Sequence, residues 1–231
     1  MTFANFKVLT RGYVPGAKAQ IITDTVLGLI LNNAVKDIAV YTCCLKTNKK
    51  FNAVASQQEY ILSTVLGDYL TPDKSGLWWN QGTVSATNYK QLDARTLAWL
   101  DSNRPNWRDL SAGSPQEYTI DGDILTVVPK PTSALANAFW FYYGETPVIM
   151  SAEEHYPFTG STTELTQLSV FDDAILSYAR WKIEPILNKD QTVDITEQQY
   201  KRAREEAYTA FKRRRDININ ADTRFSVPTI R

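Results

Sequence analysis

The chain has 231 residues, of which 43% are hydrophobic and 22% charged, so it can bury the core of one large domain or two small ones. Its 25 basic and 25 acidic residues cancel, which disfavours a protein dedicated to gripping duplex DNA along its length. No apolar run approaches the ~18 residues of a membrane span, and the first residues lack the pattern of a secretory signal. These features predict a protein made in a cytoplasm, with no membrane partner.

The N-terminal part of the chain changes character near residue 20. Gly12, Pro15 and Gly16 argue against a long helix, so residues 1–20 are predicted to form an extended arm. From residue 21 onward, apolar residues recur at three- to five-residue steps, which predicts a helix over about 21–45.

The middle of the chain, about 58–147, is rich in β-forming residues. Asp121-Gly122-Asp123 separates two apolar runs, and glycine tolerates the positive φ that a tight hairpin turn needs. A third, largely aromatic run at 138–143 completes a predicted three-stranded meander. Residues 88–100 are predicted to form a short helix within this β insertion.

Two helices are predicted near the C-terminus, at 168–187 and 196–215, and they should pair as an antiparallel hairpin. Residues 216–231 lack a helical stripe but stay apolar, so they are predicted to form an extended tail that docks on a partner or packs on its own domain. The predicted fold class is mainly α with a β insertion (α+β). Long helices form a bundle that carries a small antiparallel β-sheet, and residues 21–215 form one domain.

The motifs of common enzyme classes are absent from the sequence. There is no nucleophile elbow, phosphate loop or dinucleotide-binding glycine run, and the single histidine, His155, excludes a His-Glu-x-x-His zinc motif. Cys43 and Cys44 are adjacent, where a disulfide would strain the backbone. Asp121 and Asp123 supply fewer oxygens than Mg²⁺ or Ca²⁺ requires, so they are better explained by the hairpin turn. We therefore predict no enzyme, cofactor or metal site.

Three groups of residues are candidates for contact with partners. A basic run at the predicted end of the last helix either complements the helix dipole or contacts phosphate or an acidic surface. Aromatic residues on the predicted strands are candidates for contact between subunits, because strand alternation sends adjacent tryptophans to opposite faces. Apolar residues of the tail form the third group. The three groups are Lys212, Arg213, Arg214 and Arg215; Trp78, Trp79, Trp140 and Tyr142; and Phe225, Val227, Ile230 and Arg231.

The order and spacing of several stretches resemble the head–tail adaptor proteins of tailed bacteriophages. The stretches are ILNNAVKDIAVYT at 30–42, Tyr69-Leu70-Thr71-Pro72-Asp73, Trp107 through Gly113-Ser114-Pro115 to Tyr118, Val128-Pro129-Lys130-Pro131, Phe141-Tyr142-Tyr143-Gly144-Glu145-Thr146-Pro147, and the paired C-terminal helices. Together they extend over about residues 21–211.

This resemblance implies a structural virion protein with no cofactor, made in the host bacterial cytoplasm and located at the head–tail neck. Such adaptors assemble as a ring of about twelve copies under the portal protein, extend the DNA channel and provide the docking site for tail or nozzle proteins. DNA would pass through the channel without specific binding. Phe225, Val227, Ile230 and Arg231 would then contact the portal or a neighbouring subunit.

Two other functions fit the same sequence. One is another ring protein of the neck, such as a tail-completion or stopper protein, which would differ in the neighbour that it binds. The other is a nucleic-acid-binding module that uses the basic C-terminal helix, for which binding should weaken steeply with salt.

Overall fold

The computed structural model describes residues 1–14, 21–187 and 193–222, with side chains described as far as residue 213. These residues form six α-helices and two four-stranded β-sheets. In chain order the elements are α1 (Phe3–Tyr13), α2 (Asp24–Thr42), β1 (Lys46–Ala53), β2 (Glu59–Ile61), α3 (Leu62–Leu66), β3 (Tyr69–Asn80), β4 (Tyr89–Gln91), β5 (Asp93–Ala94), α4 (Leu97–Asn103), β6 (Glu117–Asp121), β7 (Ile124–Val128), β8 (Leu135–Glu145), α5 (Asp172–Ile183) and α6 (Val193–Asp222).

The described chain divides into two compact units. The helical unit comprises the described parts of Met1–Cys44 and Pro147–Arg231, and the β unit comprises Leu45–Thr146. The sequence instead predicted one domain over 21–215. The predicted bundle of long helices carrying one small sheet is wrong, because the fold is α+β with two sheets and, among the described residues, only α2 and α6 are long helices.

The first residues form α1 instead of the predicted extended arm. The Thr2 side chain accepts a hydrogen bond from the Asn5 amide, and the amides of Phe3 and Ala4 donate to the carbonyls of His155 and Glu153 at 2.8 and 3.0 Å. These acceptors satisfy amides that have no partner within a first helical turn. The helix ends at Tyr13, ahead of Pro15, so the proline does not interrupt it.

The predicted helical hairpin is confirmed by α5 and α6. Trp181, late in α5, stacks on Tyr200, early in α6, with ring centroids 5.7 Å apart. Phe171, immediately before α5, lies 5.7 Å from Phe211, late in α6. These two contacts require the helices to run in opposite directions.

Helix α6 is longer than the sequence predicted. It continues to Asp222, so 216–222, which was predicted to belong to the extended tail, is helical. This stretch contains neither glycine nor proline. Extending an existing helix costs far less than starting one, which explains how a segment with no apolar stripe joins it.

The β unit is a sandwich of two sheets. Sheet 1 has the strand order β1-β8-β3-β4 and is antiparallel throughout, whereas sheet 2 has the order β2-β7-β6-β5 with β5 parallel to β6. The predicted β6–β7 hairpin is confirmed, and Gly122 at φ +60° takes the first position of its two-residue turn. A third strand, β8, follows as predicted, but it pairs with β1 and β3 and does not extend the hairpin.

Several local predictions within the β unit are wrong for one shared reason. The polar stretch KTNKKFN, which follows the predicted first helix and was not predicted to be a strand, belongs to β1, whose Phe51 and Ala53 face the core while its polar residues face solvent. Residues 88–100, predicted to form a short helix, contain β4, β5 and the start of α4, which is capped by Thr96. In each case tertiary pairing determines the structure of a segment with weak local preference.

Aromatic rings dominate the core between the two sheets. Phe139 is fully buried, and its ring centroid lies 5.1 Å from that of Phe51, 5.3 Å from Tyr60 and 5.0 Å from Trp79. Strands of both sheets therefore meet at Phe139. β3 has an irregular register between Pro72 and Leu77, and Gly76 lies within this stretch at φ +60°, a backbone conformation that favours glycine. A Cβ atom at this position would also lie only 2.5 Å from the Tyr118 hydroxyl oxygen.

We expect Phe139→Ala to lower the free energy of unfolding of the β unit by about 3–5 kcal/mol, because it leaves a cavity between the sheets. The matched control is Val84→Ala, at a side chain 59% exposed in the same unit, which should change stability by less than about 0.5 kcal/mol. Denaturant unfolding followed by tryptophan fluorescence measures both. Equal effects of the two substitutions would contradict a core centred on Phe139.

Candidate interaction surfaces

The two adjacent tryptophans of β3 point to opposite sides of sheet 1, as strand alternation predicted. Trp79 is 7% exposed and packs in the core against Phe139. Trp78 is half-buried on the other side of the sheet, where it lies opposite Trp140. Of the predicted contact residues, Trp79 is therefore a core residue, whereas Trp78, Trp140 and Tyr142 share one outer surface.

We call this outer surface of sheet 1 the aromatic face. A row of side chains crosses all four strands, because Lys50 pairs with Trp140, Trp140 with Trp78, and Trp78 with Gln91. Asn48, which pairs with Tyr142, begins a second row beside it. The face comprises Asn48, Lys50, Trp78, Tyr89, Gln91, Trp140 and Tyr142. The sequence did not point to Lys50, Tyr89 or Gln91, because the register that brings them together joins distant segments.

The rings of the aromatic face are held in place by hydrogen bonds and ring contacts. The indole nitrogen of Trp140 donates to Asn48 at 2.9 Å, and that of Trp78 donates to the Ser75 carbonyl at 2.9 Å. Trp140 also contacts the rings of Tyr89 and Tyr142, with centroids 5.4 and 5.0 Å away. Rings that are fixed in this way lose little conformational entropy when a partner covers them.

Lys50 supplies the free positive charge of the aromatic face. Its ammonium group lies 4.8 Å from the centre of the Tyr89 ring and 5.0 Å from that of Trp140. No carboxylate lies within ion-pairing distance of Lys50 in the part of the chain that the structure describes. A cation above aromatic rings is a preformed contact for an acidic group.

Lys46, four residues earlier on β1, is already paired. Its ammonium group donates to Asp73, a carboxylate only 7% exposed, which also accepts from the Ser75 amide at 3.0 Å. Burial alone would raise the pKa of Asp73, but the hydrogen bonds from Lys46 and Ser75 outweigh it and lower the pKa to about 2. This pair fixes the irregular part of β3 beside the aromatic face.

The outer side of sheet 2 is divided into a covered half and an open half. In the covered half, Leu100 and Trp107 pack on Val128, and the buried Glu117 is neutralised by Arg104 at 2.9 Å and Arg95 at 3.5 Å. The charge of Glu117 is therefore satisfied within the unit.

We call the open half, next to the β6–β7 turn, the acidic patch. Ile61 and Ile124 are opposite one another on β2 and β7, with 54% and 43% of their surfaces exposed, and Asp121 lies opposite Ile124 on β6. Glu59 lies two residues from Ile61 on the same side. Neither Asp121 nor Glu59 pairs with a cation among the described residues. From the sequence, Asp121 was interpreted only as a turn residue.

The basic run of α6 does not occupy the last helical turn. Because α6 continues to Asp222, Lys212, Arg213, Arg214 and Arg215 lie within the helix, and the dipole explanation is wrong. The Lys212 ammonium lies 4.1 Å from the centre of the Tyr208 ring, and Arg213 is exposed.

Basic residues nearer the start of α6 pair with carboxylates. Lys201 and Arg202 pair with Glu197 and Glu206, both at 2.7 Å. Arg204 pairs with Asp37 of α2 at 2.9 Å. Asp37 also accepts from the Tyr200 hydroxyl, and burial together with this carboxylate raises the pKa of Tyr200. These contacts join α6 to α2.

His155 and Glu153 make local contacts within the helical unit. The Nδ1 atom of His155 accepts from the backbone amides of Ser151 and Ala152, and Glu153 pairs with Lys7 at 2.6 Å. Among the described residues, no three His, Cys, Asp or Glu side chains are grouped to hold a metal ion, and no helix could span a membrane. The tail residues Phe225, Val227, Ile230 and Arg231 lie outside the described residues.

No protein-family model matches the chain, and no curated protein matches its sequence.

We expect Asp73→Asn to destabilise the β unit at pH 7 by at most about 2.5 kcal/mol, the free energy that corresponds to lowering a pKa from 3.8 to about 2. Because the folded-state pKa is lowered, this stabilisation is present above about pH 4 and is lost as the pH falls towards 2. The difference in unfolding free energy between the two proteins should therefore shrink over this range. A difference that does not depend on pH would contradict the ion pair.

Proposed function

We propose that this protein is a head–tail adaptor of a tailed bacteriophage, which assembles as a ring under the portal protein and extends the DNA channel towards the tail. The observation that carries the proposal is the way the β unit is inserted into the helical unit. The first stretch of the resemblance, 30–42, ends at the last residue of α2, just before the β unit begins. A later stretch, 141–147, ends at Pro147, where the helical unit resumes.

The insertion begins and ends on neighbouring strands. β1 is the first strand of the β unit and β8 the last, and they pair from Lys46 opposite Gly144. The chain therefore enters and leaves the β unit at the same place, and the helical unit is built from the segments before and after it. The β unit is therefore one continuous insertion between the two segments that make up the helical unit.

Exposed apolar residues provide further support, because a ring subunit must contact several neighbours. In the helical unit Val8 is 70% exposed on α1, and Leu29 and Val40 are 61% and 50% exposed on α2. In the β unit, exposed or half-buried apolar side chains also lie on the aromatic face and in the acidic patch. In this proposal such surfaces contact other copies of the protein, the portal or tail proteins.

The proposal is tested by electron microscopy of the full-length protein, alone and after co-expression with the portal protein encoded by the same genome. We expect a ring with a central channel that joins the portal coaxially. A ring that binds tail components but not the portal would favour a stopper protein. Protein that neither forms a ring nor binds the portal would contradict the adaptor function.

The C-terminal tail provides a second test. We expect removal of residues 223–231, which keeps α6 to its last helical residue, to reduce portal binding at least tenfold by removing Phe225, Val227 and Ile230. The matched control is Val84→Ser, at an exposed apolar residue outside the surfaces named above, which should leave portal binding unchanged. Unchanged thermal unfolding shows that the truncated protein is folded. Portal binding as tight as that of the intact chain would contradict a role for the tail in docking.

A nucleic-acid-binding module is the second candidate, favoured by the basic residues of α6. Lys212 and Arg213 pair with no carboxylate among the described residues, in contrast to Lys201, Arg202 and Arg204. If this candidate is correct, the purified protein binds duplex DNA with an affinity that falls steeply with salt, and Lys212→Glu with Arg213→Glu abolishes binding. Absence of such binding at low salt would leave the adaptor proposal as the better explanation.

A further inference from the structure

We propose that the β units of neighbouring copies associate head to tail, with the acidic patch of one copy bound to the aromatic face of the next. The inference rests on the proposed function only in requiring several copies of the chain in one assembly. It deepens that proposal by naming the two surfaces that join the copies. The partner at each surface is a second copy of the same chain.

The charges of the two surfaces are complementary. The aromatic face carries the free ammonium group of Lys50, and none of its other members carries a charge. The acidic patch carries Asp121 and Glu59, which have no cationic partner in the described parts of the chain. Glu117 on sheet 2 and Asp73 on sheet 1, by contrast, are paired within the unit.

The apolar parts of the two surfaces also match. Ile61 and Ile124 form an adjacent exposed pair, and on the aromatic face the half-buried rings of Trp78, Trp140 and Tyr142 lie side by side. Aliphatic side chains packing on fixed aromatic rings form the kind of contact that is enriched at the centres of protein interfaces. Docking Ile61 and Ile124 on these rings would bring Asp121, at the edge of the isoleucine pair, close to Lys50.

The positions of the surfaces determine how the copies are related. The core residues of sheets 1 and 2 face one another, so the aromatic face and the acidic patch lie on opposite sides of the β unit. A contact between two different surfaces is heterologous. In each pair of copies it leaves one aromatic face and one acidic patch unoccupied. Repetition of such a contact produces a ring where the rotation closes, whereas a two-fold dimer would pair each surface with itself.

The test reverses the charges of Lys50 and Asp121, first separately and then together. Lys50→Glu and Asp121→Lys each place like charges at the contact, so each variant should assemble at least tenfold more weakly than the unchanged chain. The double variant restores an opposite pair and should assemble again.

An equimolar mixture of the two single variants should also assemble if the copies alternate. At one contact the unchanged Asp121 of the first variant meets the unchanged Lys50 of the second. At the next contact the two substituted side chains meet, and these again carry opposite charges. Alternation therefore removes every like-charge contact that each single variant creates on its own.

The measurement is the mass of the full-length protein by light scattering, alone and with the portal protein, as a function of protein and salt concentration. Lys90→Glu is the matched control, since it makes the same charge change at an exposed residue on β4 that pairs with the core residue Trp79. It should assemble normally. Glu59→Lys replaces Asp121→Lys if the hairpin variant does not fold.

The outcomes separate this inference from the proposed function. Rescue by the double variant and by the mixture would support the head-to-tail contact. Single variants that assemble normally, or that fail without rescue, would overturn the contact, and a portal-bound ring would still support the adaptor function. A chain that stays monomeric alone and with the portal would overturn both.

Discussion

The alternation of side chains along β8 is the constraint on which the β unit depends. Phe139, Phe141 and Tyr143 point into the core, while Trp140 and Tyr142 point to the outer surface. Because β8 lies between β1 and β3, its register also determines which residues of those strands face inward. A slip of one residue would exchange the core rings with the outer rings, so the stability of the sandwich and the composition of the aromatic face have one cause.

The sequence predicted the features that have a strong local signal. The β6–β7 hairpin follows from Gly122, and the paired helices α5 and α6 follow from their apolar stripes. It did not predict β1, because an edge strand needs only a few inward apolar residues and these were outnumbered by lysine and asparagine. Helix α1 was missed because backbone carbonyls near residue 155 satisfy its first amides, a contact between segments far apart in the chain.

The candidate surfaces were predictable to different degrees. Strand alternation predicted that Trp78 and Trp79 would face opposite sides, because that rule acts between adjacent residues. It could not place Lys50 beside Trp140, because the two residues are joined only by the pairing of β1 with β8. The acidic patch was missed for the same reason, since Ile61 and Ile124 become neighbours through the pairing of β2 with β7.

The zero net charge of the chain hides a local asymmetry that the structure makes visible. Glu117 with Arg104, Asp73 with Lys46, and Arg204 with Asp37 are matched in pairs that hold elements together. Lys50, on the aromatic face, and Asp121, in the acidic patch, belong to no such pair among the described residues. Lys50 lies over the rings of one surface, and Asp121 lies beside the exposed isoleucines of the other, so each surface combines a charge with apolar side chains. Two surfaces of opposite charge with apolar centres are the composition expected of a contact with another molecule.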